Sequence, residues 1–314
     1  MRYVPIAGLG PCSCLALGTM AYSPDRMEQA SSLLDAFLAL GGNVIDTAHN
    51  YGGERVGRSE RAIGRWLQER RCRDRVVILD KGAHPDERGP RVNAREIAAD
   101  LAESLERLQV ERIDLYMLHR DDPAVPVGPI IEACNEHVRA GRVVALGASN
   151  WSHQRIDEAN AFAAAHGMAG FVASSTNLAL ARAQEARWAG CVSLDEEGRA
   201  WHRARQFPLL SWSAQAAGFF TGRYRPDGPA EPDIVRVYYA PDNWERLRRA
   251  TALATELGVT ATQVALAYVL HQSFPTCAIM GPLTLEEFAA SAEAERVSLT
   301  PAQVRWLNLE GVPA

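Results

Sequence analysis

The sequence has no apolar run approaching the roughly 18 residues that cross a bilayer, because glycine, proline and charged residues interrupt every hydrophobic stretch. A helical membrane span is excluded, and a soluble chain without a membrane partner is expected. Basic residues are not in excess: 33 Lys and Arg stand against 38 Asp and Glu, a net charge of −5. A protein that neutralises phosphate backbones carries the opposite balance, so nucleic acid is not an expected partner. Gly8, Gly10 and Pro11 break the short apolar stretch after Arg2, and Pro11 directly before Cys12 spoils a lipoprotein cleavage box. No export signal is read there, and the expected location is cytoplasmic. The six cysteines, Cys12, Cys14, Cys72, Cys134, Cys191 and Cys277, are scattered, with no second pair or nearby histidine to complete a zinc site. No two of the eight histidines form a His-x-His pair of the kind a metallohydrolase barrel uses, and no metal is expected.

What is present is a core. Apolar residues make up 47% and charged residues 23% of 314 residues, the composition of a globular protein large enough for two ordinary domains or one barrel. Short Val/Ile/Leu-rich runs alternate with stretches of period near 3.6, the pattern of βα units. Strands are read at 14–18, 43–46, 75–81, 113–119, 143–149, 170–174, 209–213 and 276–280. Helices are read at 26–40, 59–69, 94–108, 130–140 and 153–166. Eight strands with intervening helices predict a single-domain (β/α)8 TIM barrel over 1–314, with a doubly wound sheet as the competitor. The rhythm breaks at 181–205, which carries Trp188 and Trp201, and at 224–241, which carries Tyr238 and Tyr239; both are expected as long loops over the site.

Three motif-like strings do not hold up. Gly8-Leu9-Gly10 has Ser13 where a dinucleotide fingerprint needs its third glycine. His119-Arg120-Asp121 lacks the downstream Asn of a kinase catalytic loop, and Gly147-Ala148-Ser149-Asn150-Trp151 ends in Trp where a nucleophile elbow ends in Gly. The informative set lies at strand ends, where a barrel of this type builds its site. Asp46 closes the second strand, with Tyr51 five residues on; Lys81 closes the third and His119 the fourth.

These residues, with Gly42-Asn43-Val44-Ile45-Asp46-Thr47-Ala48, Asp114-Leu115-Tyr116-Met117-Leu118-His119 and Gly147-Ala148-Ser149-Asn150, make the sequence resemble the aldo-keto reductases over nearly its whole length. The resemblance implies hydride transfer between a nicotinamide cofactor and a small-molecule carbonyl or alcohol. A tyrosine with a pKa near ~10 is a reluctant acid at neutral pH. Lys81 beside Tyr51 is expected to lower that pKa, Asp46 to hold Lys81, and His119 to polarise the carbonyl oxygen. A cofactor-sensing subunit with little turnover is the alternative.

For the cofactor, the resemblance implies contacts from Gly18, Thr19, Met20, Asp46, Ser149 and Asn150. It also places Trp212 against the nicotinamide face, and Ser213, Gln215, Gly218, Phe219 and Arg223 over the pyrophosphate. Ser175 or Asn177 stands nearest the usual carboxamide-binding Gln. In the segment Gly281, Pro282, Leu283, Thr284 through Glu287 to Ser291 no Lys or Arg is present to clamp a 2′-phosphate. The resemblance implies NADP(H), and the missing clamp makes NAD(H) the second expectation. Arg120, Asp121 and Trp151, together with aromatic residues on the long loops, suggest a substrate contact surface, with a sugar-like or polyol carbonyl as one expectation. The oligomeric state is not readable from the sequence.

Overall fold

The computed structural model describes residues 1–52 and 56–311. It opens with an antiparallel hairpin, β1 (Tyr3–Pro5) and β2 (Pro11–Ser13), that the sequence reading missed because each strand has only three residues. Eight parallel strands follow: β3 (Leu15–Gly18), β4 (Val44–Asp46), β5 (Val77–Gly82), β6 (Ile113–Leu118), β7 (Val143–Ser149), β8 (Phe171–Ser175), β9 (Leu209–Ser211) and β10 (Thr276–Met280). They close in the order β10-β3-β4-β5-β6-β7-β8-β9. The fold is the predicted single-domain (β/α)8 barrel.

The helices α1 (Met27–Ala39), α2 (Arg58–Arg70), α3 (Ala94–Leu108), α4 (Val127–Arg139) and α5 (His153–Ala165) alternate with β3 to β8. In α1 the buried residues are Ala30, Leu33, Leu34 and Phe37, a stripe at helical spacing that turns toward the barrel. Gly41, at φ 87°, lies just past its end, a conformation that suits glycine. Asn93 caps α3 by accepting the backbone N–H of Glu96.

Both long stretches expected as loops contain helices. The first ends in α6 (Glu196–Arg205), capped by Asp195. The second contains α7 (Pro232–Tyr238) and runs into α8 (Pro241–Leu257), both with Pro in the first turn. The chain continues through α9 (Ala261–Leu270), β10, α10 (Leu285–Ala292) and α11 (Pro301–Leu307).

Successive strand side chains point to opposite faces, so the barrel has an outer core against the helices and an inner one along its axis. The inner core is built from Ala16, Val44, Leu79, Leu115, Met117, Ala145, Ala173, Leu210, Cys277 and Ile279. Ile6 and Cys12 join it from the hairpin, so β1 and β2 close the barrel floor. Gly147 makes room on the axis: a Cβ there would lie 2.8 Å from two atoms of the Met117 side chain. With the floor closed by apolar groups, polar side chains collect at the opposite rim.

Candidate active site

On β5, Leu79 joins the inner core and Ile78 the outer one, so Lys81 shares the inward face with Leu79. Its Nζ donates to Asp46 Oδ1 at 2.5 Å and to the Thr47 carbonyl at 2.9 Å, with the Tyr51 hydroxyl at 3.5 Å. The ammonium also lies 5.1 Å from the Tyr51 ring centroid. Lys81 is the only lysine in the sequence, so the other 32 of its 33 basic residues are arginine. That compositional signal would have singled it out earlier. An ammonium on a flexible stem does what a rigid, permanently charged guanidinium cannot, which is to share protons with a neighbour.

Burial of Lys81 works against its charge, but the anionic partners around it, Asp46 foremost, outweigh that and hold its pKa above the ordinary lysine value. Lys81 and Asp46 form a buried ion pair by geometry, in which burial, offset in part by Lys81, pushes the Asp46 carboxyl above its ordinary value. Tyr51 behaves differently from the expectation. Burial pushes its phenol up, Lys81 offsets only part of this, and the net direction is upward. Tyr51 is a protonated acid at neutral pH, which suits donation of a proton rather than removal of one.

His119 follows β6, and its ring lies edge-on to Tyr51, with centroids 5.9 Å apart. Burial, aided by the charges of Lys81 and Arg120, drives its pKa well below the ordinary histidine value. A neutral imidazole results, able to donate one N–H and accept at the other nitrogen. His84, which the sequence reading passed over, packs edge-on against His119 at 4.8 Å, and its Nδ1 is 2.7 Å from the Pro85 carbonyl. Its signal was its place three residues after Lys81.

Around the rest of the rim, Ala83, Asn150, Ser213, Ala216 and Ala217 all adopt positive φ just after strands β5, β7 and β9. Strained backbone of this kind gathers where a surface is shaped for a ligand. Beneath the Ser213–Gly218 turn, Arg223 donates to the Ala217 carbonyl at 2.9 Å. Trp212 Nε1 and Ser175 Oγ are buried without a hydrogen-bond partner among the described residues. A flat ring with polar edges and an anionic linker, as in a nicotinamide dinucleotide, matches this set.

Several residues expected to touch ligand are engaged elsewhere. Thr19 is fully buried, and its hydroxyl donates to the Asp46 carbonyl and meets Ser59, so it braces β4 rather than lining the cleft. Met20 is exposed, and Gly18 sits against Ile279 and Met280. Ser149 Oγ donates to the Ser175 carbonyl. The Asn150 side chain donates to the His119 carbonyl and accepts from Val192 N–H, which ties the loop after β8 to the rim. Asn177 donates to the Trp212 carbonyl. Phe219 is fully buried among Phe220, Tyr224, Tyr238, Tyr239 and Trp244, so its side chain is core.

Gln215 donates to Ser291 at 2.9 Å, which joins the turn after β9 to α10. Glu287 accepts the Leu283 N–H at 2.7 Å while Thr284 caps the helix, and Pro282 is buried beside Gly281. Asp121 pairs with Arg155 at 3.1 Å, pointing away from the rim. Trp151 is 1% exposed, packs against Phe171 and donates to the Arg120 carbonyl, so it supports the rim instead of facing substrate. Trp201 is likewise buried, with its Nε1 on Asp157. Trp188 alone among the loop tryptophans is exposed, 5.8 Å from Trp212.

A closed barrel that gathers a phenol, a paired lysine and a neutral histidine at one rim has the groups that proton transfer to a bound ligand needs. The family model for the aldo/keto reductase family matches residues 14–308. The chain is 30% identical to the uncharacterized oxidoreductase YrpG of Bacillus subtilis, covering 94% of this chain and 91% of that one. It is 28% identical to the putative aryl-alcohol dehydrogenase AAD14 of Saccharomyces cerevisiae, over 90% and 76%. With the norsolorinic acid reductase stcV of Emericella nidulans it shares 27% identity, over 96% and 78%. The chain belongs to the aldo/keto reductase family and is an oxidoreductase of carbonyl and alcohol groups that works with a nicotinamide cofactor.

Proposed function

We propose that Tyr51 is the proton donor in carbonyl reduction, with Lys81, Asp46 and His119 completing the catalytic set. The observation that carries this reading is Lys81 Nζ between Asp46 and the Tyr51 hydroxyl, beside a neutral His119. A nicotinamide held at this rim would supply the hydride that the carbonyl carbon takes up. Tyr51 gives its proton to the carbonyl oxygen, and Lys81 stabilises the phenolate left behind. His119 donates its N–H to the same oxygen and polarises the carbonyl. Asp46 keeps Lys81 charged and in place.

The rim around β7 to β10 would hold the cofactor, Trp212 and Ser175 serving the nicotinamide and Arg223 with the Ser213–Gly218 turn the pyrophosphate. Between Gly281 and Ser291 no basic side chain meets a 2′-phosphate, and Glu287 already occupies the first turn of α10. Both NADPH and NADH are accepted, with NADPH favoured by less than about tenfold, roughly 1.4 kcal/mol. The substrate is a small aldehyde or ketone. Relatives named for aryl alcohols and norsolorinic acid favour an aromatic carbonyl over a sugar. Trp188 and Trp212 supply apolar surface for it, whereas the other aromatics behind the sugar expectation are packed.

The test is Tyr51→Phe, assayed on aromatic aldehydes with both reduced cofactors. Turnover falls by on the order of 10² or more while cofactor affinity stays within about threefold. Equal turnover of variant and wild type refutes the assignment.

A further inference from the structure

One charge at the rim is left over once the proposed catalytic set is accounted for. Lys81 is neutralised by Asp46, and burial keeps His84 and His119 uncharged. Arg120 remains. It is 6% exposed and follows His119 directly. Its Nε donates to the Ala189 carbonyl at 3.1 Å and its Nη1 to the His119 carbonyl at 2.8 Å. These two bonds use two of the five guanidinium N–H groups, and no carboxylate pairs with it among the described residues. Its acidic sequence neighbours are turned away: Asp121 is held by Arg155, and Asp122 accepts the Ala124 N–H.

The guanidinium is also locked in position. Trp151 Nε1 fixes the Arg120 backbone carbonyl. Gly190, at φ 69°, packs across the side chain, and a Cβ there would lie 3.2 Å from Arg120 Cδ. Arg120 acts electrostatically on Tyr51, His84 and His119, which places it at the cleft rather than in the outer core. Buried charges in proteins are paired, and a guanidinium fork matches a carboxylate in shape and charge. The half-buried Arg91 and Arg107 find such partners in Asp100 and Glu60, whereas the buried Arg199 and Arg246, on helices away from the rim, are met by the neutral oxygens of Tyr268, Gln272 and Asn243. Among the described residues Arg120 has two carbonyl partners, and of the three buried arginines it is the one that directly follows His119 at the rim.

We infer that Arg120 anchors a carboxylate carried by the substrate away from its reacting carbon, so that the preferred substrates are carbonyl compounds bearing an acid group. This rests on the proposed reading of the Tyr51 rim as the reacting centre. A single guanidinium with three N–H groups left over suits a monoanion. The chemistry at the carbonyl is unchanged, since the hydride still goes to carbon and the Tyr51 proton to oxygen; the acid group is bound and not altered.

The experiment measures binding to enzyme saturated with NADP⁺, where no hydride is available. The probes are 2-, 3- and 4-carboxybenzaldehyde, each against its neutral carbamoylbenzaldehyde counterpart, read by tryptophan fluorescence or calorimetry. The three isomers sweep the acid group across possible distances from the carbonyl. In wild type at least one acid binds about tenfold or more tightly than its amide. Arg120→Gln removes that preference, and Arg120→Lys keeps part of it. NADP⁺ affinity and melting temperature, measured on each variant, establish that it is folded. The inference is overturned when no acid outbinds its amide, or when the preference survives in Arg120→Gln. Reduction of these aldehyde probes by NADPH, in wild type and in Tyr51→Phe, reports on the catalytic reading separately. A binding preference without turnover overturns the Tyr51 assignment, and turnover without preference overturns the Arg120 anchor.

Discussion

Asp80 and Lys81 are consecutive residues on β5, both buried, and they have opposite fates. Lys81 faces the barrel axis, where Asp46, the Thr47 carbonyl and Tyr51 converge on its ammonium. Asp80 faces outward toward α2 and α3, and neither of its oxygens has a hydrogen-bond partner among the described residues. Glu60, fully buried nearby, has one oxygen on Arg107 and the other unpartnered, and Ser104 Oγ and Tyr116 OH are also unpartnered. Burial and the charge of Glu60 drive the Asp80 carboxyl well above the usual range, which favours its neutral form. One strand thus shows both ways of placing an ionisable group inside a protein, supplying a counter-charge or withholding the ionisation.

The largest test removes the converged partner. Lys81→Met strands Asp46 and is expected to lower kcat/KM by about 10³-fold or more and stability by about 3–5 kcal/mol, the usual penalty for an orphaned buried charge. In alcohol oxidation it also moves the acid-side limb, where activity rises as the phenolate forms, to higher pH, because the phenolate loses its cation. Adding Asp46→Asn restores most of the stability and none of the activity. Urea titration with steady-state kinetics reads both, and a Lys81→Met protein as stable as wild type would break the comparison.

On the outer face, the neutral-acid argument has a defined sign. The folded-state pKa of Asp80 lies above its unfolded value near 3.8. Its contribution to stability is therefore complete at pH below the unfolded value and is lost as pH rises through the folded one. While that loss proceeds, wild type loses up to about 1.4 kcal/mol per pH unit relative to Asp80→Asn, which cannot ionise. Parallel denaturation curves for the two proteins from acid to alkaline pH measure this. A constant difference across the range would mean that Asp80 titrates normally.

A smaller effect is expected at His84, whose ring backs His119. His84→Ala is predicted to raise KM for the carbonyl several-fold while kcat changes by less than about threefold, since uniform binding is lost rather than a transition-state contact. A loss confined to kcat would instead make His84 part of the proton path.

How much of this could be read in advance depended on range along the chain. The barrel was legible because alternation and periodicity are local, and Gly41 marks the end of α1 in the sequence itself. Asp46, Tyr51, Lys81 and His119 stood out because strand ends in such a barrel share one rim. The pairing of Gln215 with Ser291 did not, since each had been read as a separate contact to cofactor. Trp151 and Asp121 likewise looked like mouth residues by position, yet one supports the Arg120 backbone and the other binds Arg155.

The sequence by itself determined the alternating elements, the rim on which polar side chains would gather and the chemical types in the tetrad, because these depend on spacing within a few residues. Only the tertiary structure decided which of those groups meet. Lys81 and Asp46 are 35 residues apart, Arg120 and Ala189 are 69 apart, and Gln215 and Ser291 are 76 apart. It also decided the sign at Tyr51, where lysine proximity argued for a lowered pKa and burial won. Charge and proximity can be guessed from residue types, but desolvation depends on everything packed around a group, and that exists only once the barrel has closed.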